Sequence, residues 1–473
     1  MIKTEPIKLI SPVEGVLLAE RRPATEDEIK SALQTAVTAQ LQCKSMTVAE
    51  RAAFCHKAID YMLENQHEIA REISLQMGRP IRYAKGELRG LEARARYMID
   101  IAENALLDIA IEKIPGYTRY ISREPLGVVL VLAPWNYPYL TAVNSIIPAL
   151  MAGNSVILKH SAQTLLCAER FYQAFAAAAS QMGIANGMFQ YLHLNHAQTA
   201  TVIKHPSIAY IAFTGSVEGG RAVEKAAAGL FKPVALELGG KDPAYVMADA
   251  NIDYSVENLL DGAFFNSGQS CCGVERIYVH DTVYNEFVEK YINGVYEYRL
   301  GNPLDEETTL GPVINIKSAD YVREQIHQAV SMGAKTCIDT SRFSLKNIAE
   351  KSSRLYLPPQ VLVGVNHNMS VMKDETFGPL VGIMKVANDE QAIKLMNDSA
   401  YGLTASIWTE NLDRAVVLGD QLDCGTVFMN RCDYLDPALA WTGVKCSGRG
   451  CSLSVLAYQQ LTRPKSFHLK TEI

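Results

Sequence analysis

Long blocks of like charge are absent from this chain. It carries 45 Lys and Arg against 51 Asp and Glu, a formal net charge of −6, spread without an acidic or basic run. That balance argues against nucleic acid or an anionic membrane as partner. The start, Met1-Ile2-Lys3-Thr4-Glu5-Pro6, lacks the apolar core of a secretory leader. Ten cysteines are scattered, and the close pairs, Cys271-Cys272 and Cys446 with Cys451, lack the repeated short spacing of a zinc site. A chain of 473 residues does not need disulfide staples. No metal is expected, and a reduced, cytoplasmic setting is the simplest reading. One uncharged run, 125–158, exceeds the ~18 residues of a membrane span. Pro134, Asn136, Pro138, Asn144, Pro148 and Asn154 break it into core elements joined by loops.

What is present is an ordinary globular composition, 48% apolar and 20% charged. At ~150 residues per domain the length suggests two or three domains. Residues 24–115 show helical periodicity, opened by the capped start Thr25-Glu26-Asp27-Glu28, and we assign them no chemistry. From Tyr117 onward strand and helix patterns alternate through Leu238, which implies a parallel, doubly wound α/β sheet. A second alternating series runs from about 241 to 447, so a site in the crevice between two α/β domains is expected. The tail, 463–470, alternates like a strand and must pair with something.

Chemistry concentrates at Phe264-Phe265-Asn266-Ser267-Gly268-Gln269-Ser270-Cys271-Cys272-Gly273. Small residues after an apolar, helix-like run can leave a thiol uncovered at an element's end. A buried core cysteine fits the same residues. Upstream, Val234-Ala235-Leu236-Glu237-Leu238-Gly239-Gly240 reads as a strand carrying one carboxylate, which is costly there unless paired or used. Thiol plus desolvated carboxylate suits nucleophilic attack followed by base-assisted hydrolysis. Trp135 and Asn136 fall at the carboxyl end of a strand, where open α/β sheets bind ligands. An asparagine amide there, with the Cys271 backbone N–H, can hold an oxyanion; a turn-forming asparagine is the alternative. Thr214-Gly215-Ser216-Val217-Glu218-Gly219-Gly220 links a strand to a helix and can cradle phosphate, although it is not Gly-x-Gly-x-x-Gly.

These segments resemble the aldehyde dehydrogenase superfamily. Asn266, Gly268, Gln269 and Cys271 match its Asn-x-Gly-Gln-x-Cys motif, and Leu236 to Gly240 match Leu-Glu-Leu-Gly-Gly. Phe213, Thr214, Gly215, Ser216 and Gly220 resemble its Phe-Thr-Gly-Ser-x-x-x-Gly loop, and Glu375-Thr376-Phe377-Gly378-Pro379 its Glu-x-Phe-Gly-Pro motif. The resemblance implies Cys271 as nucleophile, Glu237 as base and Asn136 as oxyanion donor. It implies NAD or NADP bound by Trp135, Lys159, Ser161, Gly215, Ser216, Gly220, Leu238, Glu375 and Phe377. It further implies a dinucleotide-binding domain (1–106 and 126–239), a catalytic domain (240–447), and a small β lobe (107–125 and 448–473) that joins subunits of a homodimer or homotetramer.

The substrate-mouth segments 430–435 and 440–448 depart from the family pattern at Ala440, Trp441 and Thr442. Tyr137, Leu435 and Trp441 are expected to line an aldehyde tunnel, with Asn144 and Arg431 making it more polar. Arg431 is a candidate for a substrate carboxylate, as in a semialdehyde dehydrogenase; pairing with Asp433 is the plainer reading. A catalytically silent binding relative is the rival from another class, and the intact set Asn136, Glu237 and Cys271 speaks against it.

NAD-preferring members of the resembled family often carry a glutamate three residues after the ribose lysine, where it repels a 2′-phosphate. Here that position is Ala162. Both dinucleotides are therefore expected to work. Ala162→Glu should shift the kcat/KM ratio toward NAD by roughly tenfold to a hundredfold; a parent enzyme that ignores NADP would contradict this.

Overall fold

The structure, a computed structural model, describes residues 5–343 and 348–472. The first four residues, read above for a leader, lie outside them. Among the described residues no helix is long and apolar enough to cross a membrane. The uncharged run instead folds as the strand Val128–Ala133, the helix Leu140–Met151 and the strand Ser155–His160.

Two mostly parallel sheets organise the chain. The first has six strands, in the order Gly448–Arg449, Val234–Glu237, Ile208–Thr214, Val128–Ala133, Ser155–His160 and Phe189–Tyr191. Only the pairing of Gly448–Arg449 with Val234–Glu237 is antiparallel. The earliest of these strands, Val128–Ala133, sits in the middle, and later strands add on both sides of it. That reversal creates a switch point, a crevice for ligands at the strands' carboxyl ends. The register aligns Leu132 with both Lys159 and Phe213, so Trp135, Lys159 and the 214–216 loop emerge side by side.

The second sheet has seven strands and centres on Val274–His280 and Asp242–Val246. Glu237 ends a strand of the first sheet, and after Gly239 and Gly240 the chain enters the second at Asp242. Asp242 pairs with Val274, three residues after Cys271. This register carries the Cys271 turn back to the Glu237 segment.

Four helices, Glu26–Ser45, Val48–Glu64, Gln66–Met77 and Ile81–Asp100, form the expected helical layer. The first is closed by a capping box between Thr25 and Glu28. A hairpin of Ile7–Ile10 with Leu17–Arg21 precedes them and was not expected. Its alternation is too short and too exposed to register as a period-2 pattern.

The tail strand Thr462–Lys470 pairs along its whole length with Tyr117–Pro125, which also pairs with Ile109–Ala110. Residues 448–461 do not join this lobe. Gly448–Arg449 belongs to the first sheet, and the helix Ser454–Gln460 buries Ala457 and Tyr458 in the core beneath that sheet. The lobe's second segment thus begins at Thr462, because Ala457, Tyr458 and Leu461 have apolar surface that a two-faced exposed ribbon could not cover.

Candidate active site

The thiol turn is held in an expensive conformation. After the helix Ile252–Phe264, Asn266, Ser267 and Gly268 all adopt left-handed backbone angles, with φ of 54°, 58° and 70°. For the two non-glycine residues this costs roughly 1–3 kcal/mol each. At Gly268 a side chain is also excluded, since a Cβ would stand 2.2 Å from the Gly378 carbonyl oxygen. Buried hydrogen bonds compensate. Ser267 Oγ donates to the Gly311 carbonyl at 2.9 Å, Gln269 Nε2 to the Asn266 carbonyl at 3.1 Å, and Gln269 Oε1 accepts from the Ile314 N–H at 2.8 Å.

The deepest support comes from the helical layer to which no chemistry was assigned. Arg79, 2% exposed, forms a buried ion pair with Glu87, donates from Nε to Asn266 Oδ1 at 3.1 Å, and from Nη2 to the Asn136 carbonyl at 2.7 Å. Glu87 in turn accepts from the Tyr139 N–H at 2.8 Å. One guanidinium therefore ties the Asn136 loop to the Cys271 turn. In the sequence Arg79 sits in the Gly78-Arg79-Pro80 link and Glu87 among the charges of an amphipathic helix, and nothing distinguished them from solvated residues.

Cys271 and Glu237 open on one cavity of about 340 Å³, which Tyr137, Leu435 and Trp441 also line. Gly240 allows their approach, since a Cβ there would stand 2.2 Å from the Cys271 carbonyl oxygen. The neighbouring thiol differs. Cys272 is buried and donates from Sγ to Asp433 Oδ1 at 2.9 Å, and its pKa is driven well up by the Cys271 side chain and by burial. Asn136 is 5% exposed and donates one amide hydrogen to the Gln269 carbonyl at 3.2 Å. An amide NH₂ carries a second hydrogen.

Glu237 accepts from Thr214 Oγ1 at 3.1 Å and from Ser452 Oγ by a short hydrogen bond. Desolvation by the enclosing walls raises its pKa, while the two hydroxyls pull it back down. Ser452, Asp261 and Arg94 were not signalled by the sequence, and Asp433 was read only as a partner for Arg431, because no motif marks any of them. Arg431 is a correction. It is exposed, it is not among the residues lining the cavity, and its guanidinium lies 3.4 Å from the centre of the Tyr434 ring. Stacking on an aromatic face fully accommodates a solvated arginine there.

A second group of residues fits a dinucleotide. Glu375 is sequestered by the Glu237–Asp242 link and accepts from the Gly240 N–H at 3.0 Å, and burial with the Glu275 charge pushes its pKa up to about 8. A carboxyl so placed calls for hydroxyl donors such as those of a ribose. Glu275 also fixes the turn, accepting from the Thr376 and Phe377 N–H groups and from Lys241 Nζ. Phe377, at φ 52°, meets the Trp135 ring edge to face at 5.6 Å. Lys159 forms no ion pair among the described residues, and burial lowers its pKa. Ser161 caps the 3₁₀ turn Ala162–Thr164, with Ala162 exposed. Ser216 is exposed at the start of the helix Val217–Ala227, with Gly215 just before it, where a helix offers unpaired N–H groups. Gly220 has a packing role instead, since it is buried where a Cβ would press to 2.7 Å from Leu238.

Comparison with known proteins agrees with this geometry. The model of the aldehyde dehydrogenase family matches residues 2–467. A protein named aldehyde dehydrogenase from Paenarthrobacter nicotinovorans is 32% identical over 463 residues, covering 97% of this chain and 99% of that protein. The succinate-semialdehyde dehydrogenase [NADP(+)] of Mycobacterium avium (strain 104) is 32% identical over 464 residues, covering 98% and 96%. Among solved structures, PnpE in complex with nicotinamide adenine dinucleotide superposes with a TM-score of 0.93 at 28% identity, covering 100% of this chain and 96% of that one.

The Arg79 account is testable by stability. Arg79→Met leaves Glu87 charged, buried and unpaired, which should cost about 3–5 kcal/mol. Urea denaturation should show that loss, whereas a change within about 0.5 kcal/mol would mark the pair as dispensable.

Proposed function

The chain belongs to the aldehyde dehydrogenase family and oxidises an aldehyde with NAD or NADP; on that premise we propose that it does so through a Cys271 thioester hydrolysed with Glu237. The observation that carries this reading is the single cavity onto which Cys271 and Glu237 both open.

Cys271 loses its proton to solvent and its Sγ attacks the aldehyde carbon, giving the oxyanion of a thiohemiacetal. Its oxygen is stabilised by the Asn136 amide hydrogen not engaged by Gln269, together with the Cys271 backbone N–H. When bound, a dinucleotide would supply an acceptor for the hydride of that carbon, and Trp135, Lys159, Ser216, Glu375 and Phe377 are the residues that would hold it. The product of that step is a thioester on Cys271. Glu237 takes a proton from water as the water oxygen adds to the thioester carbon; the C–S bond then breaks, the Cys271 sulfur takes that proton from Glu237, and the carboxylic acid leaves. A base must be ionised, so the raised pKa of Glu237 moves the acid limb of hydrolysis above the usual glutamate range. The Thr214 and Ser452 hydroxyls limit that rise. A silent binding relative would have no use for a left-handed turn that brings a thiol to a desolvated carboxylate.

We further read the protein as a homo-oligomer working in the cytoplasm. The three-stranded lobe supports oligomerisation, since it leaves Ile109, Ile111, Ile114 and Leu469 exposed on short or unpaired edges.

Dinucleotide reduction measured with a panel of aldehydes tests the reaction. Cys271→Ala should abolish it, and Cys272→Ala should change it by less than about tenfold, since Cys272 is held by Asp433 in a protonated state. Equal loss in two folded variants would remove Cys271 from its assigned role.

A further inference from the structure

Within this reading of the site, we infer that Arg94 binds the far end of the substrate, and that this end is a carboxylate. Arg94 projects from the helix Ile81–Asp100 into the cavity shared by Cys271 and Glu237. Its Nη1 donates to the Leu140 carbonyl at 3.0 Å and to Asn144 Oδ1 at 3.4 Å. Those bonds occupy one nitrogen. A guanidinium has five N–H donors, and Nε and Nη2 meet no acceptor among the described residues.

Arg94 is half-buried, and the buried arginines of this protein are served differently. Arg79 has the Glu87 carboxylate, Arg51 has the carbonyls of Cys43, Met46 and Met151, and Arg276 has those of Lys241, Leu395 and Met396. Arg94 has no carboxylate within 4.0 Å among the described residues, although Glu237 and Asp433 line the same cavity. It is a desolvated cation whose free edge, Nε with Nη2, has the spacing that takes a carboxylate through two parallel hydrogen bonds. Asn144, 2% exposed, turns its carbonyl to Arg94 and leaves its amide nitrogen as a neighbouring donor.

The other charges of the cavity decide which anion. Glu237, Asp433 and Asp261 are acidic; Asp433 is engaged by Ser270 Oγ at 2.8 Å and by Cys272. One uncompensated cation among three acidic groups suits a monoanion and disfavours a dianionic phosphate. The substrate class is therefore a short aldehyde with a carboxylate at its other end.

The test compares succinate semialdehyde, its neutral methyl ester and glyceraldehyde 3-phosphate, with the same dinucleotide. The wild type should favour the acid over the other two. Arg94→Gln should raise KM for the acid, relative to KM for the ester, by roughly tenfold to a hundredfold, the range for hydrogen bonds to a charged group. Arg94→Lys should recover part of that ratio, which a folding defect would not. Equal changes for acid and ester, a fall in kcat on both with an altered pH profile, or a wild-type preference for the phosphate would each overturn the assignment. Wild-type enzyme inactive on every aldehyde would instead bring down the catalytic reading beneath it.

Discussion

The Arg79 guanidinium is the contact on which the site depends. It reaches the carbonyl of Asn136 and the side chain of Asn266, and it is neutralised by Glu87 within the same buried cluster. Without it the two left-handed, non-glycine residues of the Cys271 turn would rest on the remaining neutral hydrogen bonds alone. Each strained residue costs about 1–3 kcal/mol, and each net hydrogen bond contributes about 0.5–1.5 kcal/mol. Several bonds must act together, and their donors and acceptors come from the helical layer, the first sheet and the second sheet. The active turn is thus a product of the assembled fold rather than of its own sequence.

Cavity electrostatics follow the same pattern. Glu237 and Glu375 are both desolvated and both raised in pKa, yet they face different tasks. Glu237 is bonded by two hydroxyls and opens on the thiol cavity. Glu375 has a single backbone donor and stands beside a second carboxylate, Glu275. The first arrangement limits the rise in a carboxyl open to the thiol cavity; the second leaves a carboxyl short of hydroxyl donors. Arg94 and Lys159 are the corresponding cations without carboxylate partners, one toward the cavity and one at the switch point of the first sheet.

Much of the fold was legible in the sequence because it is written in periodicity. The strand at Val128–Ala133 and the helix Leu165–Met182 belong to the strand and helix alternation read from Tyr117 onward. The Cys271 and Glu237 motifs were legible because short glycine-bearing stretches have few structural uses. Gly240 and Gly268 show the cause directly, since a Cβ at either would strike backbone. Contacts between distant segments were not legible. Arg94 sits in an amphipathic helix where arginines are ordinarily solvated, Arg79 lies in the short link between two helices, and Ser452 lies in a loop whose pairing with the first sheet only the topology reveals. Arg431 failed for the converse reason. Its place near Leu435 in sequence suggested the tunnel, but the loop turns its side chain onto Tyr434 and out to solvent.

In the proposed cycle a covalent thioester forms on Cys271 and Glu237 is what releases it efficiently. Rapid mixing of Glu237→Gln enzyme with an aldehyde and saturating dinucleotide tests it most directly. The account predicts one equivalent of reduced dinucleotide per active site in a fast phase, slow turnover afterwards, and a Cys271 adduct detectable by mass spectrometry of the intact protein. A variant that turns over steadily with neither burst nor adduct would contradict it.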